Sequence, residues 1–485
     1  MEDSWANNHP ERDAAGPVGS GLDLHVELTG PRVRASLETA LRQAVQTGRL
    51  AAGTRLPASR TLAADLGVAR NTVADVYGQL VAEGWLTARQ GSGTRVAEHP
   101  AAEPPAAAAP AATAPEPGEA PRYSLKAGVP DLSEFPRTAW LAAARKAVTA
   151  APSEAFGYGD PCGQPELRAA LAAYLARARG VRAAADQIVI CSGFTQGLSL
   201  LGRVLAGTGA AAVGVEAYGH RQHREVLEAA GLCAPPVPVD PLGAVIGQVP
   251  ECAALLLTPA HQFPLGVALA PLRRNQAVAW AARTGAVIIE DDYDGEFRYD
   301  RRAIGAMQAL APEHVIYAGT ASKTLAPAVR LGWLVVPRRM LADVLSAKER
   351  ADRHGSSLDE LTLAEFITSG GYDRHVRRSR LRYQRRRGRL IAALARALPD
   401  PRVTGVAAGM HAVLNLPPGV GEAEMVAAAA ARGLALDGMR HYRMPGTDYP
   451  EALVIGYGTP PAHAFTTAVS RLCAVLQPGQ PISCP

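Results

Sequence analysis

The sequence predicts an α/β protein with a mainly parallel sheet, preceded by a small winged helix-turn-helix. Three observations carry that expectation. Strand-like apolar runs alternate with helical ones through the larger, C-terminal part of the chain, the order that builds parallel sheets. A helix–glycine turn–helix pattern followed by two short strands fills the N-terminal part, as a DNA-reading module requires. Between them, residues 98–121 are almost wholly Ala, Pro and Glu, a composition that cannot bury a core. At 485 residues the chain is also too long for one ordinary core.

Composition bounds the class. A hydrophobic fraction of 48% with 20% charged residues is ordinary for a soluble globular protein. Long apolar stretches are broken by Gly, Pro or charge before a membrane-spanning length, so no membrane association is expected. The N-terminus MEDSWANNHPERDAAG lacks an apolar signal core. Six cysteines show neither CxxC spacing nor a Cys/His cluster. That argues against a disulfide framework or a metal site and for the reducing cytoplasm. A net charge of +5 permits nucleic-acid binding without arguing for it, so charge is read locally.

Residues 1–28 read as a disordered N-terminus. The module 29–97 holds three apolar-periodic helices, at 34–47, 59–66 and 69–83, with Gly67 in the turn between the last two. Leu62, Leu66, Val73, Val76 and Leu80 form its buried stripe. The third helix opens on Arg70, Asn71 and Thr72, donors able to reach base edges or phosphates from a helix N-terminus. GWLTARQGSGTRVA then reads as two strands around a Gly91-Ser92-Gly93 tip, a β-wing with Arg89 and Arg95 beside the phosphate backbone. The linker 98–121 spans roughly 70 Å when stretched.

The module 122–485 follows. Its strand runs are DQIVICSG, AAVGVEAYG, CAALLLTP, GAVIIEDDY, HVIYAGT and RLGWLVVP, and ligands in such sheets bind at the carboxyl ends. Lys323, one of only four lysines, lies in GTASKTLAPAVRLGW. Lysine, unlike arginine, loses its proton near neutral pH and condenses with an aldehyde as a Schiff base. Thr320, Ser322 and Arg330 supply two hydroxyls and a guanidinium, which suit a phosphate held close to an aldehyde, as in pyridoxal 5′-phosphate (PLP). Asp291 ends a strand, where a carboxylate opposite a pyridine nitrogen keeps it protonated. Tyr293 could tune the ring phenolate. The turn 191–196 opens a helix whose N–H groups could cradle a phosphate.

Taken together, GYGDPCGQPELRAALAAYL, TPAHQFPLG, IIEDDYDGEFRY and GTASKTLAPAVRLGW resemble the fold-type I PLP-dependent aminotransferase-like domain, with its small C-terminal α+β subdomain, over roughly residues 122–475. GRLAAGTRLPASRTLAADLGVARNTVADVYGQLVAEGWLTARQGSGTRV resembles a GntR-type winged helix, with Ala69 where that family usually has serine. The whole chain resembles the MocR/GabR family of transcriptional regulators.

The resemblance implies that Lys323 carries the cofactor as a Schiff base, Asp291 meets the pyridine nitrogen and Tyr293 the phenolic oxygen. Thr195, Thr320, Ser322, Arg330 and the N–H of Phe194 would hold the phosphate. His261, with Gln262, falls where aminotransferases place the asparagine that contacts the ring oxygen. Tyr158 would reach a neighbouring subunit's phosphate in a homodimer. Arg60, Arg70 and Thr72 would lie on double-stranded operator DNA.

Two departures stand out. VEAYGHRQHREVL puts His220, with Tyr218 as rival, where relatives stack a tyrosine on the ring. LVIGY puts Val454 where aminotransferases carry the carboxylate-binding arginine, and Arg440, His441 or Arg221 are the candidates to compensate. The implied function is a regulator in which PLP, or its adduct with an amino acid or amine effector, controls operator binding. The alternative is an aminotransferase carrying a DNA-binding appendage. The basic run 372–390 is either a solvated helix face or a second DNA contact.

Overall fold

The computed structural model describes residues 33–89, 93–98, 121–299, 304–448 and 450–477. The expected disordered N-terminus, nearly all of the expected linker and the wing residues Gly91 and Ser92 lie outside the described residues. The chain forms two compact units, one within residues 1–117 and one within 118–485.

The first unit is built from α1 (Val33–Gln46), α2 (Ser59–Asp65) and α3 (Arg70–Ala82). Each helix buries one stripe: Leu37 and Leu41, then Leu62, then Val73, Val76 and Leu80, the 3.6-residue spacing read from the sequence. Gly67 takes φ 65° between α2 and α3, a left-handed corner that glycine adopts without steric cost. The Tyr77 hydroxyl donates to the Pro57 carbonyl at 3.0 Å, tying α3 to the loop before α2. The wing strands β1 (Leu86–Arg89) and β2 (Gly93–Val96) pair antiparallel, with Leu86 opposite Val96.

The second unit is centred on a seven-stranded sheet. In chain order its strands are β3 (Ile188–Cys191), β4 (Val213–Glu216), β5 (Pro236–Val237), β6 (Ala254–Leu257), β7 (Val287–Asp291), β8 (Val315–Thr320) and β9 (Gly332–Val335). Their spatial order is β3-β9-β8-β7-β6-β4-β5. β9 alone runs antiparallel to both its neighbours, and the other pairings are parallel. The central strands are buried on both faces, which is why they read as unbroken apolar runs. Alternate residues serve opposite cores: Val189 and Leu334 face one, Ile190 and Trp333 the other.

A smaller antiparallel sheet completes the unit, from β10 (Arg402–Thr404), β11 (His411–Asn415), β12 (Asp437–Gly438) and β13 (Ala452–Gly456), in the order β10-β11-β13-β12. This is the expected α+β subdomain. The 27-residue helix Gly371–Ala397 leads into it and contains the whole of the basic run. Its arginines divide. Arg386 is buried and paired with Asp131 at 2.7 Å, and Arg380 donates to the Glu296 carbonyl at 2.7 Å. Arg377, Arg378, Arg385 and Arg389 are exposed. The run is therefore partly a packing element, not solely a solvated face. Among the described residues no helix is long and apolar enough to cross a membrane.

Candidate functional site

At the carboxyl ends of the parallel strands lies a cavity of about 210 Å³. Phe194, Thr195, His220, Asp291, Tyr293, Thr320, Ser322, Lys323 and Arg330 line it together, although the sequence spreads them over more than a hundred positions. Each arrives at the end of an element. Phe194 and Thr195 open the helix Phe194–Gly207 after β3, Asp291 ends β7, Thr320 ends β8, and Arg330 precedes β9.

One wall suits a phosphate. Gly193 sits at φ 93°, ψ 173°, a conformation essentially reserved for glycine. It leads into a helix N-terminus with free amides and a favourable dipole. A Cβ on Gly193 would stand 3.5 Å from the Arg330 guanidinium, so that cation lies directly against the turn. Arg330 itself is left-handed, at φ 53°, ψ 36°. A non-glycine residue held there marks a position fixed by its surroundings. The Thr320 hydroxyl donates to Ser322 Oγ at 2.9 Å and accepts from the Ser322 N–H at 3.1 Å. Both oxygens thus face one side.

Facing that wall, Lys323 Nζ donates to the Gly128 carbonyl at 2.5 Å. Burial lowers its pKa below that of an ordinary lysine, against the pull of Asp291 and Asp294. Burial likewise raises Asp291 well above the usual carboxylate range, although Lys323 opposes the shift. Tyr293 is raised well above an ordinary phenol, by burial first and then by Asp294 and Asp291. Burial pushes His220 down to about 3 and His223 to about 4, so both imidazoles are neutral at physiological pH. A lysine amine, a buried carboxyl, a phenol and an anion cradle are the groups that PLP requires, and the residues present fit it.

Two candidates are placed differently from the expectation. His261 does not line the cavity. Its Nδ1 lies 2.8 Å from Asp294 Oδ2 and 3.1 Å from the Tyr293 hydroxyl, so it supports Tyr293 and is not itself a wall. His411 on β11 lies close by, its ring tilted against that of His261 with centroids 5.0 Å apart and its Nε2 2.9 Å from the Pro264 carbonyl. His261, Asp294 and His411 offer ligand atoms within 4.8 Å of one another, and each already takes part in these hydrogen bonds. Tyr158 also stands outside the cavity, 82% exposed, under the Arg353 guanidinium at 4.4 Å. The rivals His220 and Tyr218 both line the cavity, each held by a different neighbour. The Tyr218 hydroxyl donates to the Asp448 carbonyl at 3.0 Å, which anchors that ring. His220 stacks on Phe263, with centroids 4.2 Å apart, beside Gly128.

Val454 is fully buried within β13, opposite Val413. Arg221, Arg440 and His441 do not line the cavity, whereas Arg224 does. Arg224 and the half-buried Glu216 are cavity residues that sequence reasoning missed. Glu216 accepts from the Thr258 N–H at 3.1 Å and from the Thr258 hydroxyl. Arg224 had a usable signal, since it lies one turn beyond His220 on the same helical segment.

In the first unit, Arg60, Arg70 and Asn71 are exposed at the N-terminal ends of α2 and α3, with Thr72 half-buried beside them. Ala69 gives α3 no side-chain cap. Arg89 and Arg95 are exposed on the wing, and Arg95 is steadied by donating to the Gly53 carbonyl at 2.9 Å.

Comparison with known proteins agrees with both units. The family described as aminotransferase class I and II matches residues 123–452, and bacterial regulatory proteins of the gntR family match residues 34–96. The HTH-type pyridoxine biosynthesis transcriptional regulator PdxR of Corynebacterium glutamicum is 32% identical over 446 residues, covering 90% of this chain and 95% of that protein. The protein named probable rhizopine catabolism regulatory protein MocR, of Rhizobium meliloti, is 33% identical over 378 residues, covering 74% of this chain and 76% of that one. Among solved structures, an archaeal alanine:glyoxylate aminotransferase superposes with a TM-score of 0.66 at 26% identity, over 74% of this chain and 91% of that chain.

Proposed function

The chain belongs to the MocR-type family of GntR transcriptional regulators, in which a winged helix is joined to an aminotransferase class I and II domain, and on that premise we propose that PLP held at Lys323 controls its grip on operator DNA. The observation that carries this reading is the cavity in which Lys323, Asp291, Tyr293 and Arg330 converge, in a chain that also presents Arg70 at the tip of a recognition helix. When bound, the cofactor supplies an aldehyde that condenses with an amine. Burial of Lys323 favours its neutral form, the form that attacks an aldehyde. The Asp291 carboxyl would hold a proton shared with the ring nitrogen. Tyr293, oriented by His261 and Asp294, would donate to the ring oxygen. The turn at Gly193 with Arg330, Thr320 and Ser322 would take the phosphate, and Tyr158 would serve a neighbouring subunit in a homodimer.

Within this reading PLP itself is the signal. Val454 is apolar and buried where an amino acid's carboxylate would need a cation, and none of the expected replacements reaches the cavity. The same residue argues against efficient amino-group transfer. An amine or amino acid effector is the second reading, favoured by Arg224 on the wall, which could take a carboxylate. Control of DNA binding requires only that the ligand bind two arrangements of the chain with different affinity. The test is electrophoretic mobility shift on the DNA upstream of the chain's own gene, with PLP, with candidate amines and with neither. Saturating PLP is expected to change the apparent Kd at least about fivefold. An affinity indifferent to PLP and to every amine refutes the proposal.

A further inference from the structure

The phosphate-facing turn is held from behind by a chain of side chains that does not touch the cavity. Gln196, in the first turn of the helix Phe194–Gly207, accepts the Ser192 N–H at 2.7 Å through its carbonyl oxygen. Its amide nitrogen donates to Asp352 Oδ2 at 2.6 Å. Asp352 in turn accepts from Lys348 Nζ at 2.8 Å and 3.1 Å, and the Lys348 side chain is completely buried. Lys348 and Asp352 lie on the helix Arg338–Asp352, far from the turn in sequence.

The order of donors and acceptors is forced. A carboxylate only accepts. Gln196 must therefore point its NH2 group at Asp352 and its carbonyl at Ser192. That occupies the Ser192 N–H and leaves the first-turn amides of Phe194 and Thr195, which have no partner inside their own helix, to face the cavity they line. Lys348 needs Asp352 as its countercharge, because an unpaired buried ammonium is strongly disfavoured. Beyond Asp352 the backbone bends sharply. Arg353 adopts φ 65°, ψ −65° and the His354 N–H donates to the Asp352 carbonyl at 2.7 Å. This is a γ-turn of the strained hand, the kind of cost kept where surroundings demand one placement.

We propose that Asp352 is a positioning residue for phosphate recognition: fixed by Lys348, it orients Gln196 and through it the Ser192–Thr195 turn. The inference rests on the reading of the cavity as a PLP site. It is tested on the full-length chain freed of cofactor, by absorbance titration with PLP and with pyridoxal, which carries the same aldehyde without the phosphate. Asp352→Ala is expected to weaken PLP about tenfold or more and to leave pyridoxal within about twofold. The double variant Lys348→Met/Asp352→Asn keeps a carbonyl acceptor for Gln196 and removes the unpaired charge. It is expected to bind PLP within about threefold of the parent. Equal loss for both ligands, loss for neither, or a double variant as weak as Asp352→Ala overturns the proposal. A parent chain that binds neither PLP nor pyridoxal overturns the PLP reading itself, a result distinct from the other three.

Discussion

Glu216 closes one side of the cavity with a carboxyl group pushed up to about 7 by burial, although bonds from Thr258 and Gln262 favour its charged form. An acid whose folded pKa lies above its unfolded value disfavours the native state at high pH, where it is charged in both states. That penalty fades as pH falls through the folded value toward the ordinary carboxylate range. Glu216→Gln is therefore expected to raise the thermal midpoint by about 3 °C at pH 8, with the gain gone by about pH 4.5. Calorimetry across that range checks it, and a gain independent of pH rules it out. Sequence reading found Lys323 because lysine is scarce in this chain and its neighbours carry hydroxyls. It found Asp291 because a carboxylate at the end of an apolar strand is conspicuous. Glu216 ends a strand too, but what makes it matter is Thr258, 42 residues on. Asp352 meets Gln196 across 156 residues. No spacing rule reaches that far, so partnerships of this kind become visible only in three dimensions.

Elements meet at the site through glycines, and there the tolerance is smallest. Gly332 opens β9, paired with Cys191 on β3 and Thr320 on β8. A Cβ on Gly332 would lie 2.9 Å from Gly193 Cα and 3.1 Å from the Gly319 carbonyl oxygen. Backbone on both sides leaves nothing flexible to give way. Gly332→Ala is expected to cost about 1–3 kcal/mol of stability and to weaken PLP more than pyridoxal, because the displaced atom belongs to the turn proposed to take the phosphate. Chemical denaturation and paired titrations measure both, and an unchanged midpoint contradicts the packing argument. The helices of the first unit begin and end within a residue or so of where their apolar periodicity placed them, since a buried stripe fixes a helix directly. The strands were legible as runs, but the reversal of β9 was not, because a strand buried on both faces reads alike in either direction. The basic helix was misread in part for a similar reason. Charge count alone does not reveal that Arg386 turns inward to Asp131.

The whole molecule carries two chemistries in one chain, and they should separate by mutation. Arg70 is exposed at the start of the recognition helix in the first unit, whereas every residue lining the cavity belongs to the second. In the full-length protein Arg70→Ala removes a contact of the kind worth about 1–3 kcal/mol when it reads a base, so DNA binding should fall roughly tenfold to a hundredfold. The visible absorbance of the PLP-loaded chain should stay unchanged. Lys323→Ala should abolish the coloured adduct and leave the full chain binding DNA as the unliganded parent does. Its DNA affinity should then no longer respond to PLP. Two mobility-shift titrations, each variant with and without PLP, and one spectrum apiece decide the matter. If Lys323→Ala still responded to PLP as the parent does, the signal would enter somewhere other than this cavity. If it lost DNA binding outright while its thermal midpoint stayed that of the parent, the occupied site would be the state that grips DNA, and the unliganded parent should lose binding equally.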